Sequence, residues 1–139
     1  MYQADIVVAN ILGREHVPAS YAALPRVTFT DPEVGAPGMT EAAAREAGIE
    51  VRTATQLVPH TARGWLHKVG NEGFIKLVAD ATTGTLVGAT AVGPNGGEVL
   101  GLLALAVHAE VPVSELRNMI WAYPTFHGGI GDAVKALEI

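Results

Sequence analysis

The strongest constraint on the fold is a pair of apolar runs joined by a short turn and followed by a long apolar segment. "GFIKLVAD" (73–80) and "TLVGATAVGP" (85–94) flank "ATTG", which is the pattern of a β-hairpin. The next segment, "GGEVLGLLALAVHAE" (96–110), carries Leu and Val on nearly every side, which predicts a helix buried on more than one face. A hairpin followed by such a helix favours a sheet with a helix packed on it.

The remaining segments predict two further strands and several shorter helices. The predicted strands are 26–30 and 49–58. The predicted helices are 1–12, ending at Gly13; 41–48, with Thr40 as N-cap; one beginning near Ser114; and 131–139. Residues 14–25 and 59–72 are predicted to be irregular, and "DPEVGAPG" (31–38) is predicted to break the first strand. The predicted fold class is therefore α+β, with helices packed on one face of an antiparallel sheet built around Val27–Phe29, Val51–Leu57, Phe74–Val78 and Leu86–Val92.

Composition narrows the class of protein. The chain has 139 residues, a net charge of −5 and no cysteine, so it lacks both the basic footprint of a nucleic-acid-binding domain and any thiol chemistry. Only 17% of its residues are charged, below the quarter typical of soluble domains, which predicts that part of its surface is covered by a partner. We expect no membrane partner, since the longest apolar stretch, 99–107, is too short to span a bilayer. We expect a cytoplasmic location, since residues 1–10 carry Asp5 and no basic segment typical of a signal peptide. The long apolar helix is the part of the chain expected to contribute to both the core and an interface, through the residues around Leu100, Leu103 and Val107.

No motif of a self-sufficient enzyme is present. "GPNGGE" (93–98) precedes a helix and could hold an anion, although a turn with Glu98 in the first helical turn is the preferred interpretation. The five histidines have no metal-ligand spacing, so no metal is expected. His108 is interpreted as a core or interface residue, and Trp65 and Trp121 as packing anchors.

Several segments together resemble a known domain. "RVTFTDPEVGAPGMTEAAAREAG", "GFIKLVADATTGTLVGATAVGPNGGEVLGLLALAVHAEV" and "VSELRNMIWAYPTFHGGIGDAVKAL" occur in the order found in the C-terminal interface domain of the FAD-dependent pyridine nucleotide-disulfide oxidoreductases. That family includes dihydrolipoamide dehydrogenase, glutathione reductase and mercuric reductase. "MYQADIVVANILG" resembles the last helix of the preceding FAD domain. The resemblance implies that residues 1–25 are a terminal helix and linker from that FAD domain, and that residues 26–139 are the dimerisation domain.

The resemblance also implies partners and a site. The chain would form a homodimer and would join upstream FAD and NAD(P)H domains of the same parent, so that no cofactor is bound by this chain alone and the isolated chain is inactive. The closing segment would reach the partner subunit's flavin with Tyr123, Pro124 and Thr125. In the family this segment reads His-Pro-Thr-x-x-Glu, whose histidine acts as acid and base and whose glutamate orients it.

This sequence departs from that pattern at both catalytic positions. Tyr123 replaces the histidine and Gly128 replaces the glutamate, while Pro124 and Thr125 match. A phenol, with an ordinary pKa of about 10, is a poor proton shuttle at neutral pH. His127 is a weak substitute, because it is displaced by four residues. We therefore expect no standard disulfide reductase, but a parent that reduces a quinone or another small acceptor. An aromatic residue before proline, together with the resemblance, predicts a cis Tyr123-Pro124 bond. The alternative is a free-standing, non-enzymatic dimerisation or ligand-binding module.

Overall fold

The computed structural model describes residues 1–139, which form six α-helices and five β-strands. The helices are α1 (Tyr2–Ile11), α2 (Glu41–Glu46), α3 (Ala62–His67), α4 (Gly96–His108), α5 (Val113–Asn118) and α6 (Gly128–Lys135). The strands are β1 (Pro25–Thr28), β2 (Glu33–Pro37), β3 (Val51–Leu57), β4 (Phe74–Asp80) and β5 (Thr85–Gly93). One turn of 3₁₀ helix, Val58–His60, joins β3 to α3.

The five strands form one antiparallel sheet in the order β1-β2-β5-β4-β3. The predicted hairpin is confirmed: β4 and β5 pair along their lengths, and Asp80 stands opposite Thr85. Gly84 closes the turn with a φ of 70°, a value that a residue with a side chain rarely adopts. β5 lies at the centre of the sheet, and both of its faces are covered, since Leu86 belongs to the main core and Val87 packs on a smaller cluster on the opposite face; its sequence is apolar on both faces for this reason.

The main core lies between one face of the sheet and the helices α4, α5 and α6. Ile75 and Leu77 of β4 contribute to it together with Leu103 of α4 and Ile130 and Val134 of α6. The α+β class with an antiparallel sheet is thereby confirmed. A smaller cluster lies on the opposite face, where Ala44 of α2 packs against Val51 of β3 and Val78 of β4. Alternation along β4 places Leu77 and Val78 in these two separate clusters.

Two elements are missing from the sequence prediction. The segment 31–38, predicted to break the first strand, contains β2. Its glycine is a packing position, because a Cβ at Gly35 would lie 2.7 Å from the carbonyl oxygen of Gly96 on α4. The loop predicted over 59–72 contains α3, which begins with the side chain of Thr61 accepting a hydrogen bond from the Gly64 amide. Neither segment carries enough periodic apolar residues to be recognised without its tertiary neighbours.

Three smaller differences concern boundaries and burial. β1 ends at Thr28, so Phe29 lies outside the sheet with 83% of its surface exposed. The last helix begins at Gly128, three residues before the predicted start. Leu100, Leu103 and Val107 are all buried within this chain, which confirms them as core but leaves Leu105 as the exposed apolar residue of α4. These three side chains are therefore covered by this chain itself, and the interface part of that prediction stays a prediction.

Candidate functional site

The candidate site is the connection between α5 and α6, residues 119–127, which contains the Tyr123-Pro124 peptide. Its first anchor is Trp121. The indole Nε1–H donates a hydrogen bond to the Leu116 carbonyl oxygen over 3.2 Å. The ring lies directly against Gly131, where a Cβ would stand 2.8 Å from Cδ1 and Nε1 of the indole. The absence of a side chain at Gly131 therefore makes room for the tryptophan, and Trp121 is a packing anchor as the sequence predicted.

The second anchor is a turn held by hydrogen bonds of the Thr125 hydroxyl group. Thr125 Oγ1 donates a hydrogen bond to the Ala122 carbonyl oxygen (2.7 Å) and accepts one from the Gly128 amide (3.0 Å). These two bonds span the cis Tyr123-Pro124 bond and the first residue of α6, and the predicted cis geometry is confirmed. A Cβ at Gly128 would lie 3.1 Å from Thr125 Oγ1 and 3.2 Å from the Ala122 oxygen, so the turn is closed tightly around this glycine.

The start of α6 is held against the sheet by a further glycine. A Cβ at Gly129 would lie 3.0 Å from Cγ2 of Thr61 and 3.1 Å from Cδ1 of Ile75. The Thr61 hydroxyl is buried and is fully used, because it donates to the Val58 carbonyl oxygen and accepts from the Gly64 amide. The glycines of "GGIG" (128–131) thus let the loop, α3 and β4 approach one another closely.

Tyr123 projects from this anchored loop. Its side chain is 83% exposed and makes no hydrogen bond within the chain. It lines two clefts, one of about 360 Å³ that also contains Trp121 and Lys135, and one of about 450 Å³ on the side of α3. The loop therefore presents a phenol to whatever molecule covers this surface.

His127 lies on a different side of the loop. It is half-buried and lines a cleft of about 270 Å³ together with Arg63, Glu98 and Thr125. Tyr123 does not line that cleft. The structure thus brings Pro124 and Thr125 next to His127 but separates the imidazole from the phenol, which weighs against His127 as a substitute for a side chain at position 123.

Arg63 is a site residue that sequence reasoning missed. Its guanidinium carbon lies 5.2 Å from the centre of the Phe126 ring, within the range of a cation–π contact. The His67 ring packs edge-on against the same ring at 5.4 Å. Both residues come from α3, which the sequence did not predict, so the only available signal was a Thr N-cap ahead of "ARGWLH".

The glycine-rich start of α4 is used internally. The amide of Gly97 donates a hydrogen bond to Oε2 of Glu33 over 2.9 Å. A carboxylate from β2 thus occupies the helix N-terminus, which favours the turn interpretation of "GPNGGE" over a site for a free anion. No group of three or more His, Cys, Asp or Glu side chains could hold a metal ion. No helix has the length and apolar character needed to cross a membrane.

One further sequence interpretation is wrong and another is wrong in part. His108 is exposed at the end of α4, where it lines a cleft with α1, so it is not a core residue, while its interpretation as an interface residue stays a prediction. Trp65 is 69% exposed and is not a packing anchor. Both residues lie on helical faces that nothing else in this chain covers, a property that periodicity alone does not reveal.

The fold is an α+β domain with an anchored cis-proline loop, and comparison with known proteins assigns its family. Residues 24–134 match the family described as "Pyridine nucleotide-disulphide oxidoreductase, dimerisation domain". The chain belongs to this family. Full-length members of the family are FAD- and NAD(P)-dependent oxidoreductases.

Individual relatives agree with the family assignment. Dihydrolipoyl dehydrogenase of Mycobacterium leprae is 37% identical over 143 residues, which cover 96% of this chain and 30% of the relative. Mercuric reductase of Shigella flexneri is 37% identical over 116 residues, covering 84% of this chain and 20% of the relative. The crystal structure of LpdA from Mycobacterium tuberculosis superimposes with a TM-score of 0.86 at 26% identity, covering 96% of this chain and 29% of that one. The chain thus spans less than a third of the length of these relatives.

Proposed function

We propose that this chain is the C-terminal dimerisation domain of an FAD-dependent NAD(P)H oxidoreductase, which forms the homodimer interface and part of the partner subunit's flavin site. In this proposal residues 1–25 are the terminal helix and linker of a preceding FAD domain, and residues 26–139 are the dimerisation domain. The family match begins at residue 24, which supports this division. The parent is expected to be cytoplasmic.

The proposal rests on one observation: a chain that matches a dimerisation-domain family exposes many large apolar side chains to solvent. α1 has no buried residue, although Val7, Val8 and Ile11 are apolar. Leu105 of α4 and Ile120 in the candidate loop are also exposed. Burial of such side chains supplies about 25 cal/mol per Å² of apolar surface, so covering them by other domains and a second copy is favourable.

Dimerisation is tested on the chain itself. We expect light scattering and sedimentation to report a dimer whose population rises with protein concentration. Leu105→Asp and Ile120→Asp place a charge on exposed positions, so they leave the fold intact and shift the equilibrium towards monomer if their surfaces are contacts. A strict monomer at high concentration would contradict the interface assignment.

The candidate loop supports a parent that does not reduce disulfides in the standard way. Tyr123 offers a phenol at the position where the family pattern has an imidazole, and Gly128 offers no carboxylate. The turn is closed around Gly128, whose hypothetical Cβ lies 3.1 Å from Thr125 Oγ1, so a glutamate there would have to displace its neighbours by a few tenths of an ångström. We infer that Tyr123, Pro124 and Thr125 form a wall beside the partner subunit's flavin without acting as a proton-handling pair.

A quinone or another small acceptor fits this loop, because its reduction needs no thiol–disulfide exchange. NAD(P)H would lose two electrons and a proton, and the quinone would take up these and one proton from water to give the hydroquinone. FAD, when bound by the parent, supplies the electron-transfer chemistry, while this chain supplies shape and exclusion of water.

Activity of the full-length parent tests this part of the proposal. We expect NAD(P)H-dependent quinone reduction and little turnover of lipoamide or glutathione disulfide. Rapid disulfide turnover by the unaltered parent would refute the proposed loss of the proton-handling pair. The single variant Tyr123→His provides a control, since an imidazole without its carboxylate partner is expected to restore disulfide turnover only weakly.

A further inference from the structure

A second surface feature lies beside the candidate loop and has no role in the fold. It is the cleft of about 450 Å³ between α3 and Tyr123, lined by Pro59, His60, Trp65, Leu66 and Tyr123, here called the aromatic cleft. Its volume lies within the range of small-molecule sites. Trp65 is 69% exposed and Tyr123 is 83% exposed, so two large rings stand at its walls with most of their surface uncovered.

Both walls are held in place by contacts outside the cleft. On one side, α3 is fixed by the Thr61 cap and by a hydrogen bond from Asn71 Nδ2 to the Gly64 carbonyl oxygen (2.8 Å). On the other side, Tyr123 follows Trp121, whose indole is hydrogen-bonded and packed on α6. The two rings are therefore presented by rigid, separately anchored segments, which lowers the entropy cost of inserting a ligand between them.

The lining also limits the ligand's chemistry. No Asp, Glu, Lys or Arg lines the aromatic cleft. The faces of indole and phenol rings carry negative quadrupole charge, so they stack most favourably on a ring that is poor in electrons. His60, which is exposed and lines the cleft, offers a nitrogen that can hydrogen-bond a carbonyl or hydroxyl group.

We infer that the aromatic cleft binds a planar, electron-poor aromatic small molecule of the quinone class, stacked on Trp65 and Tyr123. The proposed binding rests on the two exposed rings and the uncharged lining of the aromatic cleft. The role of the cleft as the place where the parent's acceptor lies rests on the proposed function, in which Tyr123 faces the partner subunit's flavin.

The isolated 139-residue chain tests binding directly. Titration with 2-methyl-1,4-naphthoquinone, followed by ¹H–¹⁵N NMR, is expected to move the indole N–H signal of Trp65 and the amide signals of Leu66 and Tyr123 in a saturable way. The indole of Trp121 is the internal reference, because its N–H is bonded to Leu116 and its ring is packed on Gly131. The chain has no cysteine, so addition of the quinone to a thiol cannot imitate binding.

A matched pair of variants locates the site. Trp65→Ala removes an exposed ring and is expected to weaken binding about tenfold, the effect of losing one stacking contact and its apolar area. Phe29→Ala removes another exposed ring, which follows the edge strand β1 on the far side of the sheet from α3, and is expected to leave affinity unchanged. Equal affinity of Trp65→Ala and the unaltered chain, or shifts spread over the surface without saturation, would overturn the inference.

Oligomeric state separates this inference from the proposed function. If a second copy fills the cleft, Trp65→Ala weakens dimerisation and the naphthoquinone fails to bind the dimer; this outcome overturns the inference and supports the proposed dimer. If the chain is a monomer that binds the naphthoquinone at Trp65, the cleft is confirmed as a ligand site and the dimer assignment is contradicted. Saturable binding to an intact dimer supports both.

Discussion

The anchoring of the candidate loop makes a sharp prediction about Gly131. This glycine lies inside α6 and is buried, and its missing side chain is the space occupied by Trp121. We predict that Gly131→Ala destabilises the chain and loosens the loop that carries Tyr123. The substitution adds only one methyl group to a helix that alanine otherwise favours, so its effect isolates the contact with the indole.

The magnitude follows from three opposing contributions. The new methyl carbon would stand 2.8 Å from Cδ1 and Nε1 and 3.0 Å from Cε2 of Trp121, whereas carbon atoms in contact prefer about 3.5 to 4.0 Å. Overpacking of this kind costs about 1–3 kcal/mol, and displacing the ring weakens the hydrogen bond to Leu116 by a further ~1 kcal/mol. Replacing glycine by alanine inside a helix offsets about 1 kcal/mol. The expected net loss in the free energy of unfolding is therefore about 1–3 kcal/mol.

Urea unfolding followed by circular dichroism measures this loss, and the Trp121 indole signal in ¹H–¹⁵N spectra reports the displaced ring. Gly101→Ala is the matched control, because it is also a glycine within a helix but a Cβ there meets no atom within 4 Å. The control should be about 0.4–1 kcal/mol more stable than the unaltered chain. If Gly131→Ala were as stable as Gly101→Ala and left the indole signal in place, the argument for the tryptophan anchor would be refuted.

Two further predictions concern the turn and the opposite face of the sheet. Thr125→Ala removes the hydrogen bonds to Ala122 and Gly128 and should lower the free energy of unfolding by about 1–2 kcal/mol. Thr125→Ser keeps the hydroxyl, so it should lower the free energy of unfolding much less. Equal urea midpoints for the two variants would show that these bonds do not hold the turn. On α2, the hydrogen bond from Lys76 holds the pKa of the Glu41 carboxyl below its ordinary value of 4.5. Because the pKa of Glu41 is lower in the folded state than in the unfolded state, the pair with Lys76 stabilises the fold at pH values above the ordinary pKa. This stabilisation is lost as the pH falls through the folded-state pKa. Glu41→Gln should therefore lower the urea midpoint at neutral pH, whereas in acid the midpoints of the variant and the unaltered chain should become equal. A constant difference between the two across that range would contradict this cause.

Local patterns in the sequence carried much of the fold. The β4–β5 hairpin, the long helix α4 and the Thr40 cap of α2 each depend on residues close together in the chain, and all three were predicted correctly. The family could also be recognised from the order of local segments. The same order predicted the cis bond before Pro124.

Tertiary structure decided the elements and side chains whose environment comes from distant residues. β2 is a strand because its backbone pairs with β5 and its Gly35 admits α4, which its own glycine and proline content conceals. The start of α4 receives a carboxylate from Glu33, 64 residues before Gly97, so its anion-binding capacity is used inside the fold. The exposure of side chains was also decided by distant residues. Trp65 and Trp121 are chemically identical, but Trp121 packs against Gly131 and anchors the loop, whereas Trp65 is left as a wall of the aromatic cleft. Sequence periodicity reports which residues share a face, whereas packing between distant segments decides which faces are covered.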